Sequence, residues 1–150
     1  NLSNHLPDQG TMRITLRARR STMKVDEFAS LRFVFSAHTS NNANFSEVIS
    51  KRAIPVTGSL TDPQLIHLDI PLSEIQRNPF RNNKETFPRR DEFLTIECQS
   101  KTRGKEPLSI TLDFIEISAP FFEKWPPQTH RNIFFESPNK NEEVEYASEV

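Results

Sequence analysis

The sequence predicts an all-β fold, an antiparallel β-sandwich, and three observations carry that prediction. Short apolar runs recur at fairly regular spacing, and several alternate strictly with polar residues, the period of a half-buried strand. Helix formers do not dominate. The 11 Pro, together with Ser and Thr, fall between the apolar runs, and the 12 Phe supply most of the aromatic surface for a core. At 150 residues the chain fits one domain of this kind.

Taken in order, Asn1 to Gln9 is polar and extended, and Gly10 opens the first strand. Met12, Ile14, Leu16 and Ala18 alternate with Arg13, Thr15, Arg17 and Arg19, which places the first set in a core and the second in solvent. Leu31 to Ser36 repeats the pattern with Leu31, Phe33 and Phe35 in phase, and His38 to Asn44 is a polar loop. Phe45 to Ile49 and Ala53 to Val56 are shorter strands, and Pro55, lacking an N–H, puts the latter at a sheet edge. Leu65 to Ile70 is a strand ended by Pro71, and Ser73 to Arg77 is a helical turn. Asn78 to Asp91 is a long polar loop, Leu94 to Cys98 a strand, and Ile110 to Ile117 the last strand. In that last strand the apolar phase shifts between Phe114 and Ile115, which calls for a bulge near Phe114 or for cover on both faces. The expected core is Ile14, Leu16, Phe33, Phe35, Leu68, Leu94, Ile96 and Leu112. Cys98, in phase with the apolar residues of its strand, is expected as a buried inert thiol.

Beyond the sandwich, expected over 1–118, Pro120, Phe121, Phe122, Trp125, Pro126 and Pro127 lie in a segment that cannot be regular structure. It reads as a Pro/aromatic strap over 119–138 that packs on the sandwich. Residues 139–150, with Glu142, Glu143, Val144 and Tyr146, read as a linker or the start of a following helical domain.

Charge and composition bound the function. A net charge of −1 and a pI near 6.5 argue against a nucleic-acid module, and the arginines at 13, 17, 19, 20, 89 and 90 read as a strand face and a polar loop. One cysteine leaves no internal disulfide and no Cys-rich metal site. No apolar run approaches the ~20 residues of a membrane-spanning helix, so no membrane insertion is expected, and no signal peptide is visible. Asn1-Leu2-Ser3 and Asn44-Phe45-Ser46 match the glycosylation pattern.

A catalytic centre is hard to assemble. The four histidines (His5, His38, His67, His130) fall in no hydrolase or zinc motif, and three glycines are too few for a nucleotide loop. Asp113 and Glu116, three apart on one strand, are expected on opposite faces and so cannot flank one glycosidic bond. Sugar binding needs an aromatic platform beside planar polar groups. The candidates are Phe80 and Phe87 with Arg81, Asn82 and Asn83, and Trp125 with Tyr146; the competing reading is that Trp125, Phe121 and Phe122 plug the base of the sandwich.

Two resemblances extend this reading. Gly-Thr-Met-Arg-Ile-Thr-Leu-Arg-Ala from Gly10, Leu-Arg-Phe-Val-Phe from Leu31, Leu-Ile-His-Leu-Asp-Ile-Pro-Leu from Leu65 and Leu-Ser-Ile-Thr-Leu-Asp-Phe-Ile-Glu-Ile from Leu108 resemble the strand order of carbohydrate-binding jelly rolls. Met12 and Phe114 stand where that superfamily often has Tyr. The resemblance implies a jelly-roll sandwich of the galactose-binding kind, with Asp113 matching a position that helps hold a structural calcium. The segment from Ile110 to Phe135, with Glu-Lys-Trp-Pro-Pro from Glu123 and Thr-His-Arg from Thr129, is similar to one in planctomycete-type multi-domain cytochrome c proteins built from domains of unknown function. It implies an internal module of an exported, extracytoplasmic protein; with no Cys-x-x-Cys-His, this chain itself holds no haem. The combined expectation is a non-catalytic carbohydrate-binding-like module whose partner is polysaccharide, with Phe80, Arg81, Asn82, Phe87 and Trp125 as ligand residues. The alternative is a structural module that docks neighbouring domains and has no sugar ligand.

Overall fold

The computed structural model describes residues 1–23, 27–39, 44–84, 89–101 and 108–122. Among these residues seven strands, β1 (Thr11–Arg20), β2 (Phe28–Ala37), β3 (Phe45–Val48), β4 (Ile54–Pro55), β5 (Gln64–Pro71), β6 (Glu92–Lys101) and β7 (Ile110–Ser118), form two antiparallel sheets. The only helical element among the described residues is a 3₁₀ turn, Leu72–Glu74, directly after Pro71. The chain divides into a unit over Asn1–Pro120 and a second over Phe121–Val150. Of the second unit only Phe121 and Phe122 are described, so Trp125 and the expected strap and linker from 123 onward lie outside the described residues, as does Phe87.

Each sheet is built around one long strand. β1 lies between β5 and β7, and β2 carries β6 along its whole length. The other edge of β2 is shared by β3, opposite Val34–Ala37, and β4, opposite Ser30 and Leu31. Ile49 N donates to Phe33 O at 2.9 Å and Val56 N to Ala29 O at 2.9 Å, so β3 and β4 are one edge strand with a break between them. Lys51 turns the chain at the break with φ 61, and Ser50 Oγ accepts from Phe33 N at 3.2 Å, satisfying a donor that the broken ladder would strand. Pro55 sits on this edge, where its missing N–H costs no ladder bond. Gly58 is held close by β1 and β5, where a Cβ would stand 2.5 Å from Ala18 O.

The alternation in the sequence sets the faces. Met12, Ile14, Leu16 and Ala18 of β1 and Ala29, Leu31, Phe33, Phe35 and Ala37 of β2 are buried, with Leu6, Ile49, Val56, Ile66, Ile70, Leu72, Ile75 and Leu108 around them. Leu68, Leu94 and Ile96 are half-buried against this core. Two expectations are corrected. Leu112 faces inward opposite Ala18 yet is 37% exposed, because among the described residues β7 is an edge strand with no strand beyond it to cover the side chain. Cys98, opposite Leu31 near the end of edge strand β6, is exposed for the same reason.

The phase shift in β7 is a bulge. Leu112 pairs with Ala18 and Phe114 with Arg17, leaving Asp113 as the extra residue. The bulge reverses the parity of the first half of the strand relative to the second. Asp113, bonded to the outward arginines of β1, therefore shares the outer face with Glu116, which is opposite the outward Thr15. The expected placement on opposite faces fails because one inserted residue cancels the odd spacing.

Candidate functional site

The loop expected to hold a ligand fastens the N-terminal segment to the start of β6. The Arg77 guanidinium grips Glu92 with two bonds of 2.8 Å, Nε to Oε2 and Nη2 to Oε1, and its side chain is 6% exposed against 0% for Glu92. Its remaining N–H groups donate to Pro7 O at 2.6 Å and Leu6 O at 3.2 Å. Asn78 N adds a bond to Glu92 Oε2 at 3.0 Å, and the buried Asn78 amide reaches Arg89 O and Asp91 O. Leu2 N and Ser3 O bond the Glu92 backbone at 2.7 Å each. A buried charge requires such complete pairing, since a carboxylate taken from water is costly unless its oxygens are satisfied.

Arg81 and Asn82 of this loop are part of the same closure. Arg81 Nε donates to Asp8 Oδ1 at 2.9 Å, and the Asn82 amide reaches both oxygens of Asp8. The Arg81 hydrogen bond, with that of Asn82 second, holds the Asp8 carboxyl below the usual carboxylate range. Phe80 N donates to Asn78 Oδ1 at 3.0 Å, and its ring is half-buried. Phe80, Arg81 and Asn82 are thus consecutive on one turn, and Arg81 and Asn82 bond Asp8 of the N-terminal segment. The sequence carried one cue: Glu92 lies on the apolar phase of its strand with Leu94 and Ile96.

Asp113 lies in a second polar zipper, on the outer face of β5, β1 and β7. Arg17 Nε reaches one of its oxygens at 3.1 Å and Arg19 Nη2 the other at 2.9 Å, so a cation at this carboxylate would have to displace an arginine. The Arg17 guanidinium also lies 5.4 Å from the Phe114 ring centre. Along the same face Arg13 grips Asp69 at 2.6 and 2.7 Å, and this hydrogen bond lowers the Asp69 carboxyl from its ordinary value. Thr15 Oγ1 and His67 Nδ1 are 3.0 Å apart. Arg20, in the inward phase, is buried, and its guanidinium donates to Thr22 O and Glu27 O. No group of three or more His, Cys, Asp or Glu side chains lies close enough to hold a metal among the described residues.

A different arrangement occupies the outer face of the β2 sheet. Three register pairs follow one another there, Phe28 with Lys101, Ser30 with Gln99 and Arg32 with Glu97. At about 3.4 Å per residue the strip from Phe28 to Arg32 spans roughly 14 Å. A shallow depression of about 510 Å³ lies over it, lined by Phe28, Ser30, Gln99 and Lys101, with Ala53 on the side of β4. Phe28 is 50% exposed. Ser30 is buried and donates to Gln99 O at 3.5 Å. Arg32 Nη2 reaches Glu97 at 2.8 Å, while its Nε is buried without a hydrogen-bond partner. The Gln99 amide and the Lys101 ammonium make no side-chain hydrogen bond or ion pair among the described residues.

Chemically, this face offers an aromatic ring for the C–H side of a flat ligand, an amide able to donate and accept beside it, and an exposed ammonium. All three sit on paired strands, which hold them better than a loop would. The sequence hid the grouping because Phe28 precedes the apolar alternation that marks its strand. No protein-family model matches this chain, and no curated protein or solved structure matches it.

Proposed function

We propose that this chain is a non-catalytic carbohydrate-binding module of the jelly-roll kind, and that its ligand lies on the Phe28–Gln99–Lys101 face. The observation that carries the reading is the contrast in satisfaction. The side chains of Arg77, Asn78, Arg81 and Asn82 are engaged in internal bonds, whereas an exposed aromatic ring and two polar side chains with no side-chain partner among the described residues line the depression on β2 and β6. Sugars are recognised by that combination, apolar stacking on one side of the ring and planar hydrogen bonding at its rim. The similarity of the Ile110–Phe135 segment to multi-domain exported proteins supports a tethering role within a larger extracytoplasmic chain.

Affinity electrophoresis through gels containing soluble polysaccharides tests the reading. The wild-type domain should be retarded by at least one polymer, and Phe28→Ala should migrate freely while keeping its β-type circular dichroism. Retardation by none would overturn the proposal.

A second reading, a structural module that docks neighbouring domains, is favoured by Leu112 and Ile115, which are 37% and 44% exposed on the inward side of edge strand β7. On that reading, Leu112→Ser with Ile115→Ser would weaken attachment to the rest of the chain and leave retardation unchanged.

A further inference from the structure

We infer that the Phe28 face selects acidic polysaccharide, with Lys101 as the residue that reads a ligand carboxylate. The inference rests on the carbohydrate reading above and adds the ligand's charge.

Local charge is the first argument. None of the described residues lining the depression is acidic, and the one carboxylate in the strip, Glu97, is already held by Arg32 at 2.8 Å. That pair cancels, which leaves the Lys101 ammonium as the uncompensated charge of the strip among the described residues. The chain as a whole carries −1, so this is a local excess of positive charge rather than part of a basic surface. The other cations of the outer sheet faces show the contrast: Arg13, Arg17 and Arg19 each have a carboxylate at 2.6 to 3.1 Å. Lys101, with no such partner among the described residues, remains available to an incoming anion.

Geometry is the second argument. Lys101 is the register partner of Phe28, so the ammonium stem rises from the strand position beside the exposed ring. A sugar stacked on Phe28 would place a carboxylate at its rim within reach of this flexible side chain. Gln99, one alternate position along β6, would meet the hydroxyls of the next ring. Ammonium and carboxylate form a charge-assisted hydrogen bond, stronger than one to a neutral hydroxyl. Because the site is shallow and wet, the gain is the modest one of an exposed ion pair, and it is screened by salt.

Polygalacturonate and its fully methyl-esterified form make the decisive pair of probes, since they share a backbone and differ in the carboxylate charge. Poly-L-glutamate serves as the control for charge alone. In affinity electrophoresis at low salt, the wild-type domain should be retarded several-fold more strongly by polygalacturonate than by the ester, and the difference should close near 1 M salt, where screening acts over about 3 Å. Lys101→Ala should remove most of that difference, a loss of about two- to fivefold in affinity for the acid form, with little change toward the ester. Phe28→Ala should weaken binding to both polymers. Lys101→Arg, which keeps the charge, should retain the preference. Equal retardation by both polymers, or a preference that survives in Lys101→Ala, would overturn the acidic-ligand inference and leave the carbohydrate reading standing. Equal retardation by poly-L-glutamate would show attraction to charge alone and overturn it as well. Retardation by neither polymer, with other polysaccharides equally inert, would defeat the carbohydrate reading itself.

Discussion

The two ends of β6 are made of the same kinds of residue and are put to opposite use. At its start, Glu92 is fully buried and its carboxylate is shared by Arg77 and Asn78, which also draw in Leu6 and Pro7 from the N-terminal segment. At its end, Gln99 and Lys101 stand in solvent beside Phe28 with no side-chain partner among the described residues. Both ends combine charge, amide and aromatic groups, so composition does not separate them. What separates them is whether the polar atoms are already satisfied. A group with internal partners must lose them before it can meet a ligand, and a group without them meets the ligand in exchange for water alone. The proposed ligand face therefore rests on polar groups without internal partners on paired strands, not on the residue inventory of a loop.

Breaking the fastened end should have the largest effect. Glu92→Gln keeps the volume but leaves the Arg77 guanidinium buried without its counter-charge, and stability should fall by about 3–5 kcal/mol in urea unfolding. Phe33→Ala, in the apolar centre between the two ends, should cost about 3–5 kcal/mol by the same measurement, through lost burial and the cavity left behind. Neither change should alter ligand preference in whatever fraction remains folded.

The surface zippers should matter less, and their effect should depend on pH. Arg13 depresses the folded-state pKa of Asp69 below its unfolded value, so the pair stabilises the fold above the unfolded pKa, about 4, and the contribution is lost as pH falls through the lower folded value. Asp69 is 44% exposed, so solvent screening keeps this contribution under about 1 kcal/mol. Asp69→Asn should therefore lower the melting temperature slightly at neutral pH, and the gap to wild type should close below about pH 4. The smallest stability effect is expected at the open end, where Gln99→Ala and Lys101→Ala should each stay within about 0.5 kcal/mol of wild type.

Much of the frame was legible in the alternation itself. The inward sets of β1 and β2 follow directly from period two, Pro55 marks the interrupted edge, and the phase shift near Phe114 announces the bulge. What period two cannot show is lateral cover. Leu112 and Cys98 point inward by pattern, yet they sit on edge strands, and only the strand order reveals that. The polar pairings were hidden by distance along the chain: Arg81 meets Asp8 across 73 residues, and Arg77 meets Glu92 across 15. The Phe28 face was hidden for another reason. It is assembled from alternate positions of two strands, so its members are never neighbours in sequence.

Chemical-shift mapping tests the contrast most directly. Amide resonances of the ¹⁵N-labelled domain would be followed while adding an oligosaccharide derived from a polymer that retards it. Shifts are expected to concentrate at 28–32 and 97–101, with 77–82 and 92 unchanged. Shifts centred on Phe80, Arg81 and Asn82 would contradict the account, because they would show that the internally bonded loop, and not the unengaged face of β2 and β6, receives the ligand.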